Sequence, residues 1–261
     1  MPELPDLEYM KTYLQSTALH RRIEHVDMRE HRVLNNVSLP GLRRGTDGTT
    51  LTDAHRHGKY LFASLDNGRT LALHFGMTGS LAYYRDADDE PEYARIVFAL
   101  DNGYHLAYVS LRMLAGLSLI SDVDAFLRAH EVGPDALRID ETEFTGRLHG
   151  YRGGLKSFFM KQKHIAGLGN VYTDEVLFQA RLAPKRKSSV LEKKEVSKLY
   201  RIMRRVLTEA AERRADPSRF PRGWITPLRG NDDASCPRGC GTLRKDTVGG
   251  RTTYWCPDCQ E

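Results

Sequence analysis

The chain has 261 residues, 40% of them hydrophobic, which suffices for a sizeable core and suits two modest domains better than one. It contains no apolar run of about 18 residues or more, which excludes a membrane-spanning helix. The net charge of +5 conceals an asymmetry: residues 1–150 carry 16 Lys and Arg against 22 Asp and Glu, residues 151–261 carry 23 against 12, and the second part is therefore where a polyanion would bind.

The chain opens Met1-Pro2-Glu3-Leu4-Pro5-Asp6-Leu7-Glu8. Once the initiator methionine is removed, Pro2 is a secondary amine with a pKa near the α-amino value of about 8, able to attack a carbon at the aldehyde oxidation level. Glu3 beside it can move protons. The same residues have a structural reading, because Pro5 suits the first turn of a helix running to about Leu14, with Leu7, Met10 and Leu14 on its buried face. The readings are compatible, since a helix starting there would fix the chain end.

From Ile23 to Ile120 the pattern is mostly that of strands. Lys59–Leu65 and Thr70–Phe75 flank Asp66-Asn67-Gly68, and Arg95–Leu100 and Tyr104–Ser110 flank Asp101-Asn102-Gly103. Asn-Gly between two β-rich runs predicts a type I′ hairpin twice. With Ile23–Met28, Gly79–Tyr84 and Leu117–Ile120 added, the expectation is an antiparallel sandwich or barrel packed on the N-terminal helix. His55, His57 and His74 lie on or beside strands without a helical ligand pair, so structural or phosphate-contacting roles are expected of them rather than metal binding. Ser121 to about Arg152 reads as a mainly helical linker that turns at Gly133-Pro134.

The period then changes. Lys156–Ile165, Val171–Arg181 and Val190–Arg214 read as helices, the last opened by a capping box of Ser189 and Glu192. Gly167-Leu168-Gly169-Asn170 lies between the first two, where glycines let backbone approach a ligand and the amides opening the next helix can hold a phosphate; an ordinary helix-helix turn is the alternative. Ala215–Ala234 reads as a loop. Cys236, Cys240, Cys256 and Cys259, the only cysteines, form C-x3-C-x15-C-x2-C, the spacing of two knuckles that supply four thiolates to one structural zinc.

Pro2-Glu3-Leu4-Pro5, Gly58-Lys59-Tyr60, His74-Phe75-Gly76-Met77-Thr78-Gly79, the segment Ile165-Ala166-Gly167-Leu168-Gly169-Asn170-Val171-Tyr172 and the four-cysteine hairpin with Gly250-Arg251-Thr252 together resemble the formamidopyrimidine-DNA glycosylase and endonuclease VIII family, in order from residue 2 to residue 260. The resemblance implies an α+β fold in three parts: an N-terminal antiparallel β-sandwich with an N-terminal helix at 1–120, a helix-two-turn-helix domain at 153–220 after a linker at 121–152, and a four-cysteine zinc-finger hairpin at 221–261. DNA would lie in the cleft between the domains.

The resemblance further implies a bifunctional DNA glycosylase and abasic-site lyase for oxidised bases. Pro2 stands at the family's nucleophile and Glu3 at its acid. Lys59, Asn170 and Arg251 stand at phosphate-gripping positions, and Met77 and Arg112 at positions that fill the gap left by a flipped base. Where members commonly carry Asp-Pro-Arg-Arg-Phe-Gly, this chain has Ser110-Leu111-Arg112-Met113-Leu114-Ala115, so that Leu114 replaces an aromatic wedge while Met113 reads as core. Asp6 stands where glutamate is usual, the first cysteine knuckle is one residue longer than usual, and the stretch before Cys236 is short for the loop that covers a flipped oxidised purine. The expected partner is damaged DNA and the expected cofactor one zinc ion, with no small-molecule cofactor and no membrane, for a monomer in the cytoplasm or nucleoid. The alternative from another class is a non-catalytic zinc-finger protein that recognises damaged DNA and retains Met1.

Overall fold

The computed structural model describes residues 1–231 and 233–261. The chain divides into two compact units, one of Met1–Pro2 with Asp6–His130 and one of Glu3–Pro5 with Glu131–Glu261.

The first unit runs α1 (Leu4–Thr17, from Asp6 onward), β1 (Ile23–Met28), α2 (Leu39–Thr46), β2 (Leu51–His57), β3 (Tyr60–Leu65), β4 (Thr70–His74), β5 (Ser80–Tyr84), β6 (Ala94–Leu100), β7 (His105–Val109), β8 (Leu117–Ile120) and α3 (Val123–Ala129). Two four-stranded antiparallel sheets, ordered β1-β6-β7-β5 and β2-β3-β4-β8, form the expected sandwich. Its core is built by residues two apart, such as Leu61, Ala63 and Leu65 on β3 and Ile96, Phe98 and Leu100 on β6, because alternate side chains of a strand share a face. Leu7 and Leu14 of α1 close the same core.

Both Asn-Gly reversals differ from expectation. At Gly68 and Gly103 only the glycine has positive φ, +79° and +77°; Gly68 N–H donates to Leu65 O and Leu65 N–H to Arg69 O, with Gly103, Leu100 and Tyr104 repeating the arrangement. These are three-residue loops that end in a left-handed glycine, not type I′ turns. Asn67 and Asn102 instead accept from the amides two residues on, Arg69 and Tyr104, and such a bond holds the asparagine in an ordinary negative-φ turn.

The second unit holds α4 (Glu141–His149), α5 (Leu155–Met160), α6 (Asn170–Ala180), α7 (Lys193–Glu212) and the hairpin β9 (Arg244–Val248) and β10 (Arg251–Trp255). Leu155, Phe158, Phe159, Val176, Leu177, Val196, Leu199, Met203 and Val206 share its main core. α7 starts three residues later than the Ser189 box requires: Ser188–Val190 forms a 3-10 turn, Leu191 is extended, and the reciprocal box joins Glu192 and Glu195. The Glu192 carboxylate accepts from the N3 amide as a serine hydroxyl would. The two-glycine turn Gly249-Gly250, with φ of +58° and +72°, carries the type I′ signature that the first unit lacks.

Candidate functional site

Glu3 is 1% exposed. Its Oε2 accepts from the backbone N–H groups of Gly169 (2.6 Å) and Tyr172 (3.1 Å), and its Oε1 from Val171 N–H (2.8 Å). Gly169 is the N-cap of α6, so this carboxylate occupies the positive end of a helix and takes its orphan amides. The expectation that these amides hold a phosphate is thereby corrected: three of them are committed to Glu3. Gly167 explains how the chain comes so close. Its φ is +118°, its carbonyl accepts from Leu4 N–H at 2.9 Å, and a Cβ there would lie 2.6 Å from Leu4 Cδ1.

Asn170 Nδ2 donates to Thr252 O at 2.8 Å, while Asn170 Oδ1 is buried without a partner. The amide carries two N–H donors, so one remains for a ligand. Thr252 O also accepts from Lys156 Nζ at 3.1 Å, and that ammonium, 1% exposed, donates to Asp174 Oδ1 and Thr253 Oγ1, both at 2.7 Å. Burial pushes the Lys156 pKa below the usual lysine value, against the pull of Asp174. Asp174 Oδ2 in turn accepts from Arg229 Nη1 and from Tyr254 N–H. α5, α6 and β10 thus meet on one buried ion pair beside Arg251, whose guanidinium is exposed and makes no ion pair among the described residues. Sequence reasoning missed Lys156 and Asp174. The available signal was a single lysine within the apolar run Leu155, Phe158, Phe159.

The cysteine cluster pairs with α6 through Phe178, which packs with Cys236, Leu243, Tyr254 and Cys256. The four Sγ atoms lie within 4.8 Å of one another, with Cys236–Cys240 at 3.3 Å, Cys240–Cys256 at 3.5 Å and Cys236–Cys259 at 3.9 Å. Tetrahedral Zn–S bonds of about 2.3 Å require sulfurs about 3.8 Å apart, so the donor set fits a four-thiolate metal centre. Arg238 of the longer first knuckle donates to Phe178 O and Gln179 O at the end of α6 and to Cys259 Sγ.

In the first unit Lys59 is buried in the turn between β2 and β3. Arg56 Nη1 donates to Gly58 O of that turn and Arg56 Nε to Glu8 Oε1 at 2.8 Å. Burial alone would raise the Glu8 carboxyl, but the bonds from Lys11 and Arg56 bring it below its usual value. His74 follows: burial, helped by the Lys59 charge, lowers its pKa to about 4, and its Nδ1 accepts from Gly76 N–H at 3.1 Å. That bond ties His74 to the loop that carries Met77. Met77 and Leu114 are 41% and 59% exposed, whereas Met113 packs against the core. Arg112 joins their loops, its N–H donating to Thr78 Oγ1 and its Nη1 to Met77 Sδ, each at 3.4 Å. The structure thus brings Met77, Arg112 and Leu114 together on one unit, and Glu3, Asn170 and Arg251 together on the other.

Residues 1–117 match the formamidopyrimidine-DNA glycosylase N-terminal domain, and residues 132–221 the H2TH domain of the same proteins. The chain is 31% identical to a formamidopyrimidine-DNA glycosylase of Pelotomaculum thermopropionicum, covering 100% of this chain and 99% of the relative, and 32% identical to that of Heliobacterium modesticaldum, covering both fully. Among solved structures, the Lactococcus lactis enzyme bound to DNA containing an abasic site superposes with a TM-score of 0.90 at 24% identity, over 99% of each chain. A complex of that enzyme with DNA containing N7-benzyl-Fapy-dG gives 0.89, also at 24% identity, over 100% of each.

Proposed function

This chain belongs to the formamidopyrimidine-DNA glycosylase family and is a DNA glycosylase of base-excision repair; from that membership we propose how its own residues do the work. Pro2, freed by loss of Met1, attacks C1′ of the damaged nucleotide with its nitrogen lone pair. The C1′–N bond to the base breaks, and the base leaves with a proton. The C1′–O4′ bond then opens, O4′ taking its proton by way of Glu3, and the iminium so formed makes the C2′ proton acidic; loss of that proton expels the 3′ phosphate, loss of the C4′ proton then expels the 5′ phosphate, and water releases the amine. Excision and strand cleavage then share one nucleophile, in keeping with the lyase activity general to the family.

Glu3 is the proton-transfer group. Its carboxylate is oriented for that exchange by the N–H groups of Gly169, Val171 and Tyr172. Lys59, Asn170 and Arg251 grip phosphates, and Met77, Arg112 and Leu114 fill the gap left by the extruded base. Oxidised bases in DNA are the substrate, and the protein acts as a monomer on the nucleoid without a small-molecule cofactor. The four cysteines hold one zinc ion, which supplies rigidity to the hairpin and no chemistry, since four thiolates leave no open position. The observation that carries this reading is the pinning of Glu3 by three α6 amides, one residue after the proposed nucleophile. Borohydride should trap the protein covalently on abasic-site DNA, and an N-terminal extension should abolish trapping. Undiminished trapping by the extended protein would move the nucleophile to a lysine.

A further inference from the structure

The outer face of α7 carries Lys194, Lys198, Arg201 and Arg205, all exposed. Their spacing of four, three and four puts them on one line, opposite the buried stripe Val196, Leu199, Met203, Val206 and Ala210. None of the four makes an ion pair among the described residues. The helix spends its acids elsewhere: Glu192 and Glu195 form the cap, Glu195 also holds Arg186, and Glu209 holds Arg213. Glu212, the next acid on the same line, marks where the stripe ends.

A merely solvated face is better served by interleaved acids, because like charges three and four residues apart destabilise the helix that carries them. This helix keeps an uninterrupted cationic line at that cost. We propose that the line is a contact for the phosphate backbone of undamaged duplex DNA, additional to the phosphate grip of Asn170 and Arg251; it rests on the glycosylase reading above for the identity of the partner. Geometry favours it. At about 1.5 Å rise per residue the four positions span about 16 Å, the length over which one DNA strand presents about five phosphates. The surplus of positive charge in residues 151–261 acts in the same direction.

The test is the salt dependence of binding to an undamaged 40-base-pair duplex. Combining Lys194→Gln, Lys198→Gln, Arg201→Gln and Arg205→Gln should lower the magnitude of the slope of log K against log salt by about three to four, the amount expected for four lost phosphate contacts. Exchanging Lys for Arg and Arg for Lys at the same positions should keep the slope. An unchanged slope in the glutamine set overturns the proposal, as does an equal loss in the charge-conserving set, which would indicate a damaged helix. Binding of the wild-type protein to phosphatidylserine vesicles through these residues, with the DNA slope unaltered, would also overturn it by assigning the face to a lipid surface. Base excision by the wild-type protein is measured alongside. Excision with no slope change sinks the stripe alone, and a slope change without excision sinks the glycosylase reading alone.

Discussion

Replacing the Glu3 carboxylate by its amide turns one acceptor oxygen into an NH2 donor facing backbone N–H groups. Such a mismatch at a buried site costs on the order of 1–3 kcal/mol. Glu3→Gln should therefore lose base excision in single-turnover assays, melt at a lower temperature, and keep much of its affinity for damaged DNA. Near-normal excision would reduce Glu3 to a helix cap. His74 gives a second prediction at this scale. Its folded pKa of about 4 lies below the ordinary value of 6.5, so the unfolded chain binds the extra proton first. The stability this contributes is present above pH 6.5 and is lost as pH falls from 6.5 toward 4, up to about 3 kcal/mol. Protonation at Nδ1 also ends the bond from Gly76 N–H, loosening the Met77 loop. His74→Asn retains an acceptor near that position and should flatten the pH dependence of the urea midpoint between pH 7 and 4.5. Parallel profiles for the two proteins would remove His74 as the cause.

Among elements, apolar alternation made most of the sandwich legible: Ile23–Met28 and Leu117–Ile120 match their expected bounds, and β3, β4, β5, β6 and β7 match within a residue. β2 was not legible, because Thr52, Asp53, His55, Arg56 and His57 hide its alternation. Arg56, 2% exposed, is partnered by Glu8, 48 positions away in the chain, and by Gly58 O. α2 was missed because Pro40, Gly41 and Gly45 argue against a helix; Ser38 caps it and Leu42 and Thr46 are buried all the same. α5 stops at Met160 instead of continuing to Ile165, and Gln162 bonds Gly167 N–H and Leu168 O in the loop that follows. In the candidate site, the clustering of the four cysteines was legible from their spacing alone. Lys156, Asp174 and Arg56 act through partners far away in sequence, and nothing local marks them.

For the molecule as a whole, the first unit has its own core, whereas the cysteine hairpin shares a small one with Phe178 of α6. Structural zinc sites supply folding free energy directly, so metal loss should act where that small core lies. Chelation, or Cys256→Ser, should bring rapid amide hydrogen exchange to β9, β10 and the end of α6 while β3, β4, β6 and β7 remain protected. DNA affinity should fall in parallel. Absence of zinc from freshly purified protein, or protection of β9 and β10 unaffected by chelation, would show that the metal does not organise the hairpin.

Chain ends ordinarily fray, and a frayed end must be immobilised anew each time it meets a ligand. Here the anchor lies one residue from the proposed nucleophile, and consecutive Cα atoms are about 3.8 Å apart, so the tether is too short to wander. The entropy of ordering this terminus is surrendered once, during folding, and not repeatedly during turnover. Lengthening the tether by a single residue between Pro2 and Glu3 would leave the amine chemically intact and restore the search that the anchor suppresses.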